Sequence, residues 1–161
     1  MRLFIHFFLF SFAIAMVFTT WSQNLVKNAS FEERSYCPVN FNQQRLRILT
    51  SWQQPNNATP DYFKECSKEA GVPENLFGNQ VALEGEAYAG IVTYASSKRN
   101  YREYLQQKLT RPLKPGEIVC VEYWLSAADR ALYVTDGFGA HFSKTPLNSH
   151  TQKIFEVRPQ V

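Results

Sequence analysis

From residue 118 to 127 the side chains alternate, with Val119, Val121, Tyr123 and Leu125 on one side and Cys120, Glu122 and Trp124 on the other. A period of two is a strand signal, because it cannot line up one apolar stripe on a helix of period 3.6. Residues 87–94, Ala-Tyr-Ala-Gly-Ile-Val-Thr-Tyr, are β-rich, and residues 137–143 alternate Phe138, Ala140 and Phe142 with Gly139, His141 and Ser143. Residues 25–31, 101–109 and 154–157 complete six expected strands. The 101–109 stretch also fits a helical spacing through Tyr101, Tyr104, Leu105 and Lys108. A strand–turn–strand hairpin, however, accounts for both sides of the turn sequence Arg111-Pro112-Leu113-Lys114-Pro115-Gly116.

Strands at regular spacing without intervening helices predict an all-β antiparallel sandwich. Six strands fall short of the ~8 of a jelly roll, so the sandwich is expected to be incomplete toward its C-terminus. An apolar face near Trp124 or Phe142 would then stay uncovered. The alternative is a small closed sandwich in which the long loop over residues 35–60 fills the gap. That loop, rich in Pro, Asn, Gln and Ser, surrounds Trp52, and residues 64–70 read as a helical turn closed by Gly71 and stopped by Pro73.

Ahead of all this lies an apolar run from Leu3 to Phe18, preceded by Arg2 and followed by Thr20-Trp21-Ser22. The pattern is that of a signal peptide over residues 1–22, cleaved after Ser22, which makes residues 23–161 one domain exported from the cytoplasm. His6 and Ser11 interrupt the run and a usable cleavage site follows it, which favours cleavage over an uncleaved anchor and leaves no transmembrane span. Hydrophobic residues at 45% and aromatics at 15% exclude a disordered chain. A formal charge of +3 is too mild and dispersed to point to nucleic acid; Lys98, Arg99 and Arg102 form the one basic cluster, read as a solvated edge.

In an exported chain the cysteines are expected to pair. Cys37 and Cys66 sit in irregular polar segments and are the expected disulfide, while Cys120, inside an apolar run, is expected to be reduced and buried. No C-x-x-C spacing suggests zinc. Catalytic signatures are equally absent: no Gly-x-Ser-x-Gly elbow occurs, only His141 and His150 remain after the leader, and Glu84 with Glu86 could share a strand face without making a cleft. What the composition does offer is sugar-binding chemistry. Trp52, Tyr62, Phe63, Tyr94, Tyr101 and Tyr104 lie among Gln53, Asn56, Asp61 and Asn100, supplying aromatic faces for a pyranose and planar groups for its hydroxyls. Trp124, Phe138 and Phe142 are assigned to the core instead.

Several motifs occur in a telling order: Asn24-Leu25-Val26-Lys27-Asn28-Ala29-Ser30-Phe31-Glu32, then Gly85-Glu86-Ala87-Tyr88-Ala89-Gly90, Tyr101-Arg102-Glu103-Tyr104-Leu105-Gln106, Leu113-Lys114-Pro115-Gly116, Cys120-Val121-Glu122-Tyr123 and Phe138-Gly139-Ala140-His141-Phe142-Ser143. Together they resemble the galactose-binding-like N-terminal domain of Gram-negative OmpA-family cell-envelope proteins, over essentially all of residues 23–161. The resemblance implies a carbohydrate-binding-module-like jelly roll in the periplasm, outer membrane or cell surface, with a glycan or an envelope protein as partner; the expectation of no catalysis rests on the missing catalytic signatures. It also implies a structural calcium held by Glu32 with Glu84 or Glu86, oxygen donors suited to a hard cation. Such domains continue into further strands beyond a segment like Arg158-Pro159-Gln160-Val161, which is why this chain reads as truncated. No residue here corresponds to the OmpA-like peptidoglycan-binding region.

Overall fold

The computed structural model describes residues 23–41 and 46–161, so the signal peptide expected over residues 1–22 lies outside the described residues. Among them there is no helix. The regular structure is β1 (Asp61–Lys64), β2 (Glu74–Asn75), β3 (Gly78–Asn79) and β4 (Ala87–Gly90), paired as two small antiparallel sheets, β1 with β4 and β2 with β3. The described residues are therefore β and irregular coil.

In β1 the aromatic pair Tyr62-Phe63 drives strand formation, and all four of its residues are buried. The register sets Phe63 opposite Tyr88 and Lys64 opposite Ala87. The Phe63 and Tyr88 rings stack at 5.0 Å, and Phe63 also meets Phe77 edge-on at 5.8 Å. Such cross-strand aromatic pairs are what stabilise a short sheet. Gly90 leaves room for this ring, since a Cβ there would lie 2.9 Å from Phe63 Cε2.

Three of the five residues of the core cluster lie where the sequence reads as loop. Leu46, Ile48, Leu49, Tyr62 and Ala87 are buried together, with Phe31, Trp52 and Leu105 packed against them. Residues 46–49 turn on themselves, Leu49 N donating to Leu46 O at 2.9 Å, and an antiparallel bridge between Arg34 and Leu49 fastens them through Ser35 N to Ile48 O (2.8 Å) and Thr50 N to Glu33 O (3.0 Å). Burying a Leu or Ile contributes roughly 1.5–3 kcal/mol, enough to order a segment that has no periodicity of its own. The expected Cys37–Cys66 disulfide is present, with Cα atoms 6.1 Å apart, and ties this segment to the turn after β1.

Several local expectations give way. Residues 25–31 form a turn rather than a strand: Asn28 and Phe31 take left-handed φ values of 46° and 63°, and Phe31 N donates to Asn28 O at 3.1 Å. Asn adopts that conformation readily, and its side chain competes with strand pairing. Residues 64–70 are no helical turn, because Lys64 N donates to Ala70 O and Ala70 N to Ser67 Oγ. The strand expected over 87–94 stops at Gly90, and that over 101–109 is reduced to bridges at Tyr101–Lys153 and Gln53–Gln106. Residues 137–143 meet the C-terminal residues irregularly, through Ala140 N to Val161 O (2.9 Å) and Gln160 N to Ala140 O (3.0 Å). The turn at 111–116 does form, with Gly116 at φ 76° and Glu117 clamped on the Arg111 guanidinium.

Residues 118–127 keep their alternation but belong to no strand, and no backbone hydrogen bond joins them to another segment among the described residues. A period of two decides which side each residue would face, while a strand needs a neighbour for its N–H and C=O groups. Cys120 is correspondingly exposed rather than buried. Trp124, assigned to the core, is 71% exposed, and Ile118 and Val134 are more than nine-tenths exposed. Phe138, also assigned to the core, is 38% exposed.

Candidate functional site

Trp52 is fixed on two sides. Its indole Nε1 donates to Asn28 O at 2.8 Å, and its ring lies 5.1 Å from that of Phe31. The next residue is anchored through its backbone, Gln53 N to Gln106 O (2.9 Å) and Gln106 N to Gln53 O (2.8 Å). These bonds set Trp52 at the wall of an open cleft of about 200 Å³ lined by Arg47, Trp52, Gln53 and Gln54. Small-molecule pockets run to ~300–1,000 Å³, so this cleft is too small and open to enclose a drug-sized ligand. An indole, a guanidinium and two carboxamide-bearing residues are a lining that stacks on a ring and hydrogen-bonds hydroxyls.

The other aromatic candidates fall in different places. Tyr62 is buried, with its hydroxyl donating to Phe31 O at 3.0 Å; Tyr101 is also buried, and both are core residues, closed to a ligand. Tyr104 is half-buried, edge-on to Phe155 at 5.1 Å, and its hydroxyl accepts from Phe155 N. Tyr94 is 50% exposed, edge-on to Tyr133 at 4.8 Å, with the Arg102 guanidinium 5.9 Å from its ring centre. The basic cluster is thus partly spent on aromatic faces, Lys98 Nζ lying 4.9 Å from the Tyr101 ring centre.

Of the carboxylates that the resemblance links to calcium, two come together around an ammonium. Lys64 Nζ, on a side chain only 5% exposed, is ion-paired with Glu32 Oε2 and, at 2.9 Å, with Glu86 Oε2. Glu32 Oε1 meanwhile accepts from Glu86 N at 2.7 Å. Gly85 makes that approach possible: it has φ +66°, and a Cβ there would fall on the Glu32 carboxylate. Glu84 takes no part in this group. Burial pushes the Glu32 carboxyl up, but the Lys64 hydrogen bond, the Glu86 N–H and the Lys64 charge outweigh it and hold it below its ordinary value. The Lys64 hydrogen bond and charge hold Glu86 low as well. Burial lowers Lys64, and its bonds to Glu32 and Glu86 more than reverse this. With both carboxyls depressed, the cluster's contribution is present at neutral pH and is lost as pH falls through those lowered values. No group of three or more His, Cys, Asp or Glu side chains suited to a metal occurs among the described residues. As they stand, these residues do not fit calcium, because an ammonium already lies between the two carboxylates.

Sequence reading also passes over Glu103, which is 4% exposed. Its carboxyl accepts from Tyr101 Oη (2.5 Å), Val92 N (2.7 Å), Thr59 N (3.3 Å) and Thr59 Oγ1 (3.5 Å). Burial pushes it up against the opposing pull of these donors. Lys64, Arg47 and Gln54 were likewise not singled out. For Lys64 a signal exists: it ends the run Asp61-Tyr62-Phe63-Lys64, whose aromatic centre marks a buried strand and therefore a buried charge in need of partners.

No protein-family model, curated protein or solved structure matches the chain. Among the described residues no helix is long and apolar enough to cross a membrane.

Proposed function

We propose that the chain is a non-catalytic, exported cell-envelope module that binds glycan through the Trp52 cleft, on a frame of the galactose-binding-like jelly-roll kind found in OmpA-family proteins. The observation that carries this reading is the held indole beside Arg47, Gln53 and Gln54. A ring clamped by Asn28 O and Phe31 loses little freedom when a sugar stacks on it, so little of the contact energy is lost to ordering. The open cleft suits one sugar of a polymer, with low affinity per site.

The test is titration calorimetry against a panel of envelope and extracellular polysaccharides, with Trp52→Ala and the exposed Gln53→Ala. Binding that drops at least tenfold in both variants supports the reading; a panel with no binder, or binding indifferent to both changes, overturns it. A second reading, assembly with an envelope protein, is favoured by the exposed apolar stretch around Ile118, Trp124, Leu132 and Val134. Capture of one defined envelope protein that Trp124→Ser abolishes, without glycan binding, would select it.

A further inference from the structure

We propose that the Lys64 ammonium is the built-in structural cation of this edge of the molecule: it occupies the place a divalent ion would take between Glu32 and Glu86, and removing it opens a divalent-cation site. The pair Glu32 and Glu86 comes from segments more than fifty residues apart and converges on one point, reached from β1 by Lys64. A side chain 5% exposed cannot keep its charge without close anionic partners. Here it has two, and neither is otherwise neutralised by an ion pair among the described residues.

The geometry around the ammonium is that of a cation site. Glu32 is held by the Glu86 N–H on one oxygen, which turns the other toward Lys64. The tight turn at Gly85 brings Glu86 beside Glu32, its N–H on the Glu32 carboxylate and its own carboxylate on the same ammonium. A calcium ion needs about 6–8 oxygens at roughly 2.3–2.6 Å, and it cannot enter while an ammonium stands between the two carboxylates it would use. Ammonium and calcium therefore exclude one another. Replacing Lys64 by Met keeps the chain's girth, deletes the charge, and leaves two carboxylates facing each other across a space that water and a divalent ion can fill.

Thermal unfolding of residues 23–161 with a chelator, and then with excess calcium, tests this in three proteins. The wild type is expected to melt at the same temperature in both. Lys64→Met is expected to melt roughly 10 °C lower under chelation and to recover several degrees with calcium. Lys64→Met/Glu86→Gln is expected to show no recovery, which ties the ion to this carboxylate pair. A wild-type melting temperature that falls on chelation overturns the proposal, and so does a folded Lys64→Met that ignores calcium. If Lys64→Met does not fold, equilibrium dialysis of the wild type decides: bound calcium that Glu86→Gln removes overturns the proposal, and its absence supports it.

Discussion

Glu103→Gln gives the sharpest reading of the buried polar centre. Among the described residues, the partners of the Glu103 carboxyl donate to it: the Tyr101 hydroxyl, the Val92 and Thr59 N–H groups and the Thr59 hydroxyl. Glutamine keeps the shape but offers a single acceptor oxygen. If that oxygen stays with Tyr101 and Thr59, the new NH2 faces the Val92 N–H, two donors at 2.7 Å with no acceptor between them. If the amide flips, the Thr59 N–H loses its acceptor. One buried donor left unsatisfied costs about 1–3 kcal/mol. With a urea slope of about 1–3 kcal/mol per molar, the unfolding midpoint falls by roughly 1 M. The pH dependence adds a second readout. Because burial raises the Glu103 carboxyl, its folded value exceeds its unfolded one. The stability it contributes is then complete below the unfolded value and declines as pH rises through the folded value. Glutamine does not titrate, and the other carboxyls cancel in the comparison, so the gap between wild type and variant should be widest in acid and narrow toward neutrality. Urea titrations across that range measure it. A gap that widens toward neutral pH would show the ionised carboxylate to be the favoured form and would refute the argument that burial dominates.

Three further outcomes are expected. Replacing Cys37 and Cys66 together by Ser removes a link spanning 29 residues and should lower stability by about 3–4 kcal/mol on the chain-entropy model, measured by urea unfolding. Cys120, free and exposed, should take one equivalent of a thiol reagent in the native protein at a rate close to that in denaturant, read by mass spectrometry; protection of more than a hundredfold would contradict its exposure. Ile48→Ala, in a fully buried side chain, should cost about 2–5 kcal/mol, and a loss under 1 kcal/mol would mean that residues 46–49 are not core.

What the sequence discloses is chemistry more than geometry. The Cys37–Cys66 link was legible because both residues lie in polar, irregular surroundings of a chain with an odd third cysteine in an apolar run. The turn at 111–116 was legible from its Pro and Gly residues, and the irregular path around Trp52 from the Pro, Asn, Gln and Ser near it. Of the expected strands, that over 87–94 forms as far as Gly90, whereas 118–127 does not, because alternation reports a side-chain pattern while pairing depends on a neighbour that alternation does not supply. The core escaped for the opposite reason. Leu46, Ile48 and Leu49 are three apolar residues among polar ones, too few to show a period, and they are buried by the Arg34–Leu49 bridge and the rings of Phe31 and Trp52. Tyr62 and Tyr101 looked like ligand platforms because a tyrosine in a loop and one in a core have the same sequence appearance. The difference lies in the acceptor each hydroxyl finds, Phe31 O for one and Glu103 for the other.

The opening motif acquires a physical meaning from the same contacts. Asn28 sits at φ 46°, where its side chain can accept from Glu33 N and donate to the Glu33 and Thr50 carbonyls, so one amide closes the turn and pins the segment leading to Trp52. Its own carbonyl then receives the Trp52 indole N–H, and the Phe31 carbonyl receives the Tyr62 hydroxyl. Phe31 packs on Trp52, and the next residue, Glu32, reaches Lys64. Five consecutive residues thus hold the cleft wall, a core tyrosine and the buried ion pair at once. Left-handed backbone at Asn28 and Phe31 is what points alternate groups of so short a stretch in these three directions; an extended strand over residues 25–31 would have sent them to only two faces. The residue types follow from that demand. Asn tolerates the left-handed turn and bonds backbone in three places, Phe supplies the ring beneath the indole, and Glu supplies the charge that a buried lysine requires.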